Sequence, residues 1–450
     1  MNAHLQQPAK AMFSRAVQWR GILASNAAKI ALIFAALPLI GGAMFRWYGF
    51  ASPMDWYEAL RQFDFPDIVA ALLVIFWARE RGMKLPKMLA LLDRPARIAL
   101  AIFIMTFAVG AVISAPQPGY SILRALYWLV HITFGFSLFY LLQQVTSQQI
   151  EKFGRFLVFG LVLFIPVIAI HFALAPASSI TGEPVKWSSS IPGYRSVREF
   201  GFLSGYVAAF WIGLTFWRHG KNAAGWQSWA VLTFLLAVLF WTGTRGAFVG
   251  CAAAALFAAI SLRRLPTIKT MIAGVASAAA AVAISTPFLP PSKSFGFFRP
   301  HRISSDVETL SSGRMAIWRE SIDLTWQRPL FGWGEGSYRW LSELPSTMNH
   351  LQPHNAILQF FLSFGVIAAL AAFYLAGRIV WTLHRDVRRV PAMLAPLMML
   401  DCLLVTSMFD GVLFYSRTLM ATGAATALCY ALSCQADAAK TKPAAGPKAS

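Results

Sequence analysis

Charge is scarce in this sequence. Only 13% of its 450 residues are charged and 57% are hydrophobic, whereas soluble domains carry roughly 25% charged residues. Acids are scarcer than bases: 19 Asp and Glu stand against 39 Lys and Arg, a net charge of +20. The four cysteines, Cys251, Cys402, Cys429 and Cys434, lie in or just after apolar runs and form no CxxC pair. That argues against a disulfide framework and against a thiolate metal site. No parallel-sheet pattern, no clear internal repeat and no ATP-binding motif is present. The first apolar run is not followed by a small-x-small cleavage site. The polar, basic stretch from Met1 to Gly21 is therefore expected to lead into an uncleaved anchor.

The excess of basic charge does not point to nucleic acid. Lys and Arg are spread through the gaps between apolar runs, with no basic–aromatic array. What the chain has in abundance is apolar length. A membrane span needs about 20 apolar residues. About twelve candidates follow: 28–45, 65–78, 97–115, 121–143, 153–175, 200–217, 226–242, 246–262, 268–289, 355–377, 391–409 and 412–432. The fold class is thus an all-α polytopic membrane protein with about 12 transmembrane helices. Thr242-Gly243-Thr244-Arg245 forms a tight turn between the seventh and eighth spans.

Lys and Arg in short connections mark the cytoplasmic side. They concentrate at 10–29, 79–97, 152–155, 218–221, 263–269, 378–389 and the tail. Both termini are then cytoplasmic. The chain divides into a cytoplasmic segment 1–27, a nine-span region 28–289, a large periplasmic loop 290–354 with short helices, a three-span region 355–432, and a disordered cytoplasmic tail 433–450. The far side is the periplasm or the cell exterior.

The stretch 311–368 combines charge, His, Gly and Trp as no other does. Ser311 or Ser312 can cap a helix over Arg314–Gln327, Pro329 stops it, and Gly332, Gly334 and Gly336 make a loop. The Gly-rich run follows a helix, so the dinucleotide-binding reading fails. Taken alone, it reads as a flexible turn that redirects the chain to the membrane. His354-Asn355 opens the tenth span. A His there suits general-base work on a lipid-borne group, or it merely caps the helix together with Asn355. His350 competes for the role. No carboxylate or Cys joins these histidines at ligand spacing, so no metal is expected.

Outward arginines are candidates for phosphate binding: Arg195, Arg198, Arg245, Arg299, Arg302 and Arg314. For Arg245 the alternative is lipid head-group anchoring, and Arg198 can simply pair with Glu199. His131, His171 and Asp401 inside spans read as satisfied interior hydrogen bonds, and Asp410 as an interfacial acid. Trp187, Trp318, Trp326, Trp333 and Trp340 either stack on sugars or form an interfacial belt.

These residues together resemble the O-antigen ligase and polymerase superfamily of bacterial surface-glycan enzymes. The resemblance is clearest over 312–368. There Ser312-Gly313-Arg314 and Trp318 precede Arg328-Pro329-Leu330-Phe331-Gly332, and His354-Asn355 precedes Gly365 by a nine-residue gap. Ala368 stands where the pattern has a second Gly, and Ser363-Phe364 where an acid often precedes the first. Thr242 to Ala247 resembles the family's short Arg turn.

The resemblance implies a GT-C-like, inverting glycosyltransferase that needs neither metal nor cofactor. The donor would be a glycan on undecaprenyl diphosphate. The acceptor would be lipid A–core for a ligase, another lipid-linked glycan for a polymerase, or a protein for an oligosaccharyltransferase. His354 would be the base, and Arg195, Arg198 and Arg245 would hold the diphosphate. Arg314, Asn355, Trp318 and Trp333 would position the glycan or the loop. The partners are these lipid-linked glycans and membrane lipids. A lipid or glycan transporter is the competing class. It would place its polar groups at mid-membrane, with paired broken helices.

Overall fold

The computed structural model describes residues 65–143, 145–174, 194, 197–217, 224–289, 295–298, 313–344 and 352–440, with backbone alone at 65–66, 170–174 and 438–440. Every regular element among the described residues is helical. The principal helices are α1 (Phe65–Glu80), α2 (Arg94–Val109), α3 (Pro118–Leu141), α4 (Ser147–Leu174), α5 (Val197–Thr215) and α6 (Trp226–Thr242). They continue as α7 (Arg245–Leu262), α8 (Ile268–Ser285), α9 (Arg314–Gln327), α10 (Ala356–Asp386), α11 (Leu394–Ser407) and α12 (Ser416–Lys440).

Seven helical stretches among the described residues are long and apolar enough to cross a membrane: those built on α2, α3, α4, α7, α8, α10 and α12. α6 and the stretch Pro391–Ser407 containing α11 are apolar but shorter. α1 and α5 stand where two further spans are expected. The first expected span, 28–45, lies outside the described residues. The chain is a multi-pass membrane protein.

α5 explains itself by position. Almost every residue from Val197 to Thr215 is buried, so it can be less apolar than a lipid-facing span. It packs against α6, α7 and α11. Small residues let the backbones approach, since a Cβ on Gly205 would sit 2.6 Å from the Ala247 methyl. The outer helices do the reverse. α2 and α8 expose Ile98, Ile102, Met105, Ile272 and Val275, as lipid-facing surfaces do.

α10 is two helices in one. At Gly365 the backbone turns to φ 72° and ψ 176°, which no helical residue adopts. The half before the break packs by aromatic contacts. The Phe364 ring lies 4.5 Å from Phe107 and meets Phe103 edge-on at 5.5 Å.

The helix ends sort into two groups. At one end meet the starts of α3, α5, α7, α10 and α12, the end of α11, and α9 with its loop. The other end carries Arg263, Arg264, Arg385, Arg388 and Arg389. There His384 joins Ser261 at 2.6 Å and Asp401 at 3.0 Å, and Ser433 donates to Asp386 at 2.7 Å.

Candidate active site

The site begins at the break in α10, because the Gly-rich turn docks there. Trp333 N–H donates to the Leu362 carbonyl at 2.8 Å, and Gly334 N–H to Ser363 at 2.9 Å. Val366 N–H donates to the Pro329 carbonyl at 2.7 Å. The turn thus takes up helix carbonyls that the break leaves exposed. A Cβ on Gly365 would strike the Leu330 carbonyl, and its φ and ψ are open to Gly alone. The turn is therefore a fixed clasp and not the flexible redirecting loop that its glycines suggest. α9 lies over it with a small core of Ile317, Leu324, Tyr338 and Leu362. Glu320 on α9 accepts from Tyr338 Oη at 2.5 Å, Ser342 Oγ at 2.8 Å and Glu343 N–H at 2.7 Å. α9 occupies the expected residues, and its N-cap position is Gly313 (φ 76°). Ser311 and Ser312 lie outside the described residues.

His354 stands just before α10. Asn355 caps the helix, its Oδ1 accepting from Leu358 N–H at 3.1 Å while its amide donates to the Met408 carbonyl at 3.0 Å. The cap fixes the exit angle of residue 354. His354 itself has φ 55°, one of two non-Gly residues in the left-handed region among the described residues. That conformation costs roughly 1–2 kcal/mol. Gln352 helps hold it, since its Oε1 accepts the His354 N–H at 2.6 Å. Gly411 makes room, because a Cβ there would overlap the Gln352 amide.

The His354 ring meets Asp410. Nδ1 lies 2.6 Å from Asp410 Oδ1, and both residues are buried. Asp410 also accepts the Gly411 N–H at 2.9 Å on the same oxygen and the Arg314 guanidinium at 2.8 Å on Oδ2. Burial pushes the Asp410 carboxyl up. His354, Arg314 and Arg198 outweigh it and hold the group well below the usual carboxylate range. Asp410 is therefore an anion at neutral pH, and an anion at Nδ1 selects the tautomer with its proton there. In a neutral imidazole of that tautomer, Nε2 is the nitrogen that can take a proton, as a general base must. Asp410, expected as an interfacial acid near a span end, is buried and partnered by His354.

The arginines converge in part. Arg314 opens α9 and is spent on Asp410, so its place is beneath the histidine. Burial lowers its pKa, and Asp410 offsets part of that. Arg198 acts electrostatically on both Asp410 and Arg314, which puts its charge at the same site. Arg245 opens α7 beside the end of α11, where Gly246 accepts from Thr406 Oγ1 at 3.3 Å and packs near Phe409. Gly201 on α5 packs against Thr242 and Thr244 of the same turn, so the Arg198 and Arg245 helix ends adjoin. Arg195, Arg299, Arg302, His350 and Trp187 lie outside the described residues, as does the His171 side chain.

Two of the tryptophans hydrogen-bond within the site. Trp318 Nε1 donates to Pro353 at 3.1 Å, and Trp333 Nε1 to Leu324 at 2.8 Å. Arg328 lies over the Trp333 ring at 4.1 Å. His131 makes two bonds of 2.6 Å, to the Tyr127 carbonyl and Ser416 Oγ, as a satisfied interior His does. No group of three or more His, Cys, Asp or Glu residues that could hold a metal occurs among the described residues. Sequence reasoning missed Asp410 as a partner. Its signal was available: an Asp-Gly pair in a short connection, on the side where His354 is expected.

Residues 230–373 match the family model described as O-antigen ligase. The match runs from α6 into the second half of α10 and takes in Arg245, Arg314 and His354. Arg198 and Asp410 lie outside it. Comparison with curated proteins found no match.

Proposed function

We propose, from the match of residues 230–373 to the O-antigen ligase family model, that this protein ligates a lipid-borne glycan to lipid A–core. The donor is glycan on undecaprenyl diphosphate. The observation that carries the reading is the buried His354–Asp410 pair at 2.6 Å, set among arginines at one end of the bundle.

The chemistry follows from those groups. An acceptor hydroxyl attacks the anomeric carbon on the face opposite the diphosphate. Its proton passes to His354 Nε2 while Asp410 stabilises the imidazolium that forms. The bond from the anomeric carbon to the diphosphate oxygen breaks, and the configuration inverts. Undecaprenyl diphosphate leaves as an anion, and Arg198 and Arg245 oppose the charge that grows on it, with Arg195 in the same role. Arg314 keeps Asp410 in place. The leaving diphosphate supplies the driving force, so the transfer needs no nucleotide. The basic end with Arg263, Arg264, Arg385, Arg388 and Arg389 is cytoplasmic by the positive-inside rule, and the site is periplasmic. In this reading the membrane is the bacterial inner membrane, both termini are cytoplasmic, and the fold is a GT-C-like set of about twelve spans.

The test is a gel of surface lipopolysaccharide from a strain lacking the gene, complemented with wild type or His354→Ala. Wild type restores long glycan on lipid A–core. His354→Ala leaves it on the lipid carrier. Core bearing a single repeat would instead mean a polymerase, and a normal ladder without the gene would remove the reading.

A further inference from the structure

A second polar cluster lies behind the dyad, and the transfer chemistry does not use it. Arg124 on α3 and Glu335 of the Gly-rich turn form an ion pair at 3.3 Å, with both side chains 0% exposed. Gln359 Nε2 on α10 donates to the same Glu335 Oε1 at 3.0 Å. Arg124 also donates to the Phe414 carbonyl at 2.7 Å and lies over the Phe414 ring at 4.0 Å. Ser121 Oγ donates to the Glu335 carbonyl at 3.1 Å.

One buried charge pair thus joins two segments that meet at the active site. Gln359 is one helical turn past the Asn355 cap that fixes His354. Phe414 is four residues after Asp410, in the same connection between α11 and α12. The pair is a poor device for stability alone. Taking two charges out of water is costly, and Glu335 Oε2 has no hydrogen-bond partner among the described residues.

We infer that Arg124 and Glu335 are positioning residues for the transfer reaction, holding the segments of His354 and Asp410 in the register that closes the dyad. The inference rests on the ligase reading above. Neither residue touches substrate. Their work is to keep the two partners within hydrogen-bond reach, where small displacements carry large rate penalties.

The test uses purified full-length protein, a lipid-diphosphate-linked glycan and lipid A–core as acceptor, with melting temperature measured alongside. Arg124→Met/Glu335→Leu removes both charges and leaves none unpaired, so the protein folds. Its kcat falls by about tenfold or more with donor KM within about twofold. Glu335→Gln, which keeps the shape and an acceptor, falls by less. Adding Asp410→Asn to the double variant lowers kcat no further than Asp410→Asn alone, because both changes disable the same dyad. A lower melting temperature with wild-type kcat overturns the inference, and so does a loss that multiplies with that of Asp410→Asn. If Asp410→Asn is impaired while the double variant is not, only the positioning role falls. If Asp410→Asn itself keeps wild-type kcat, the dyad falls and this inference with it.

Discussion

At the scale of single residues, the site turns on a strained histidine and the carboxylate that meets it. His354→Ala removes the base and is expected to lower transfer by about 10²–10⁴-fold, read as loss of labelled glycan on lipid A–core. His354→Gln keeps a hydrogen bond to Asp410 but offers no base, and it falls as far. Asp410→Asn leaves the geometry and spoils the tautomer. A loss of roughly 10³–10⁴-fold in kcat is expected. The same carboxylate sets a pH dependence of stability. Its folded value lies below its unfolded one. Its contribution is then present above the unfolded value, about 3.9, and is lost as pH falls through the folded value. Melting scans from pH 7 downward should show stability lost below about pH 4, and Asp410→Asn should flatten that fall.

At the scale of elements, the break in α10 decides the architecture of the site. Gly365→Ala must hold a Gly-only conformation and push against the Leu330 carbonyl. A loss on the order of 3 kcal/mol is expected, read as a lower melting temperature together with lost transfer. Ala368 needs no such freedom. It is fully buried in ordinary helix, which is why a Cβ is tolerated there. The helix over Arg314–Gln327 was legible from its Pro329 stop and the glycines after it. The docking of Gly332–Gly336 onto α10 was not, because it depends on carbonyls freed 29 residues away by the break. For Asp410 the side of the membrane was legible but the pairing was not. Nothing local to Asp-Gly in a span connection tells which residue will face it.

At the scale of the whole molecule, the two helix ends differ in what they carry. One gathers the dyad, Arg198, Arg245 and α9. The other gathers arginines and the Ser261–His384–Asp401 chain. Single cysteines in place of exposed Glu343 and exposed Arg389 should therefore react with impermeant thiol reagents from opposite faces of intact and inverted vesicles. Labelling of both from one face would overturn the proposed topology. The native Cys251, Cys402 and Cys429 are buried and should stay silent in that assay.

The sequence by itself determined that this chain is helical and multi-pass. Its apolar runs are too long, and its charges too few, for any other solution in lipid, where every backbone group must be satisfied within a helix or a closed barrel. It also raised His354, with His350 competing, and Arg195, Arg198, Arg245, Arg299, Arg302 and Arg314 as candidates, because they stand in the connections on one side of the apolar spans. Only the tertiary structure decided their partnerships. Asp410, Gln352, Glu335 and Arg124 come from four different segments. A hydrogen bond across 56 residues of sequence, such as that from His354 to Asp410, exists only once the helices have packed and burial has brought the charges together.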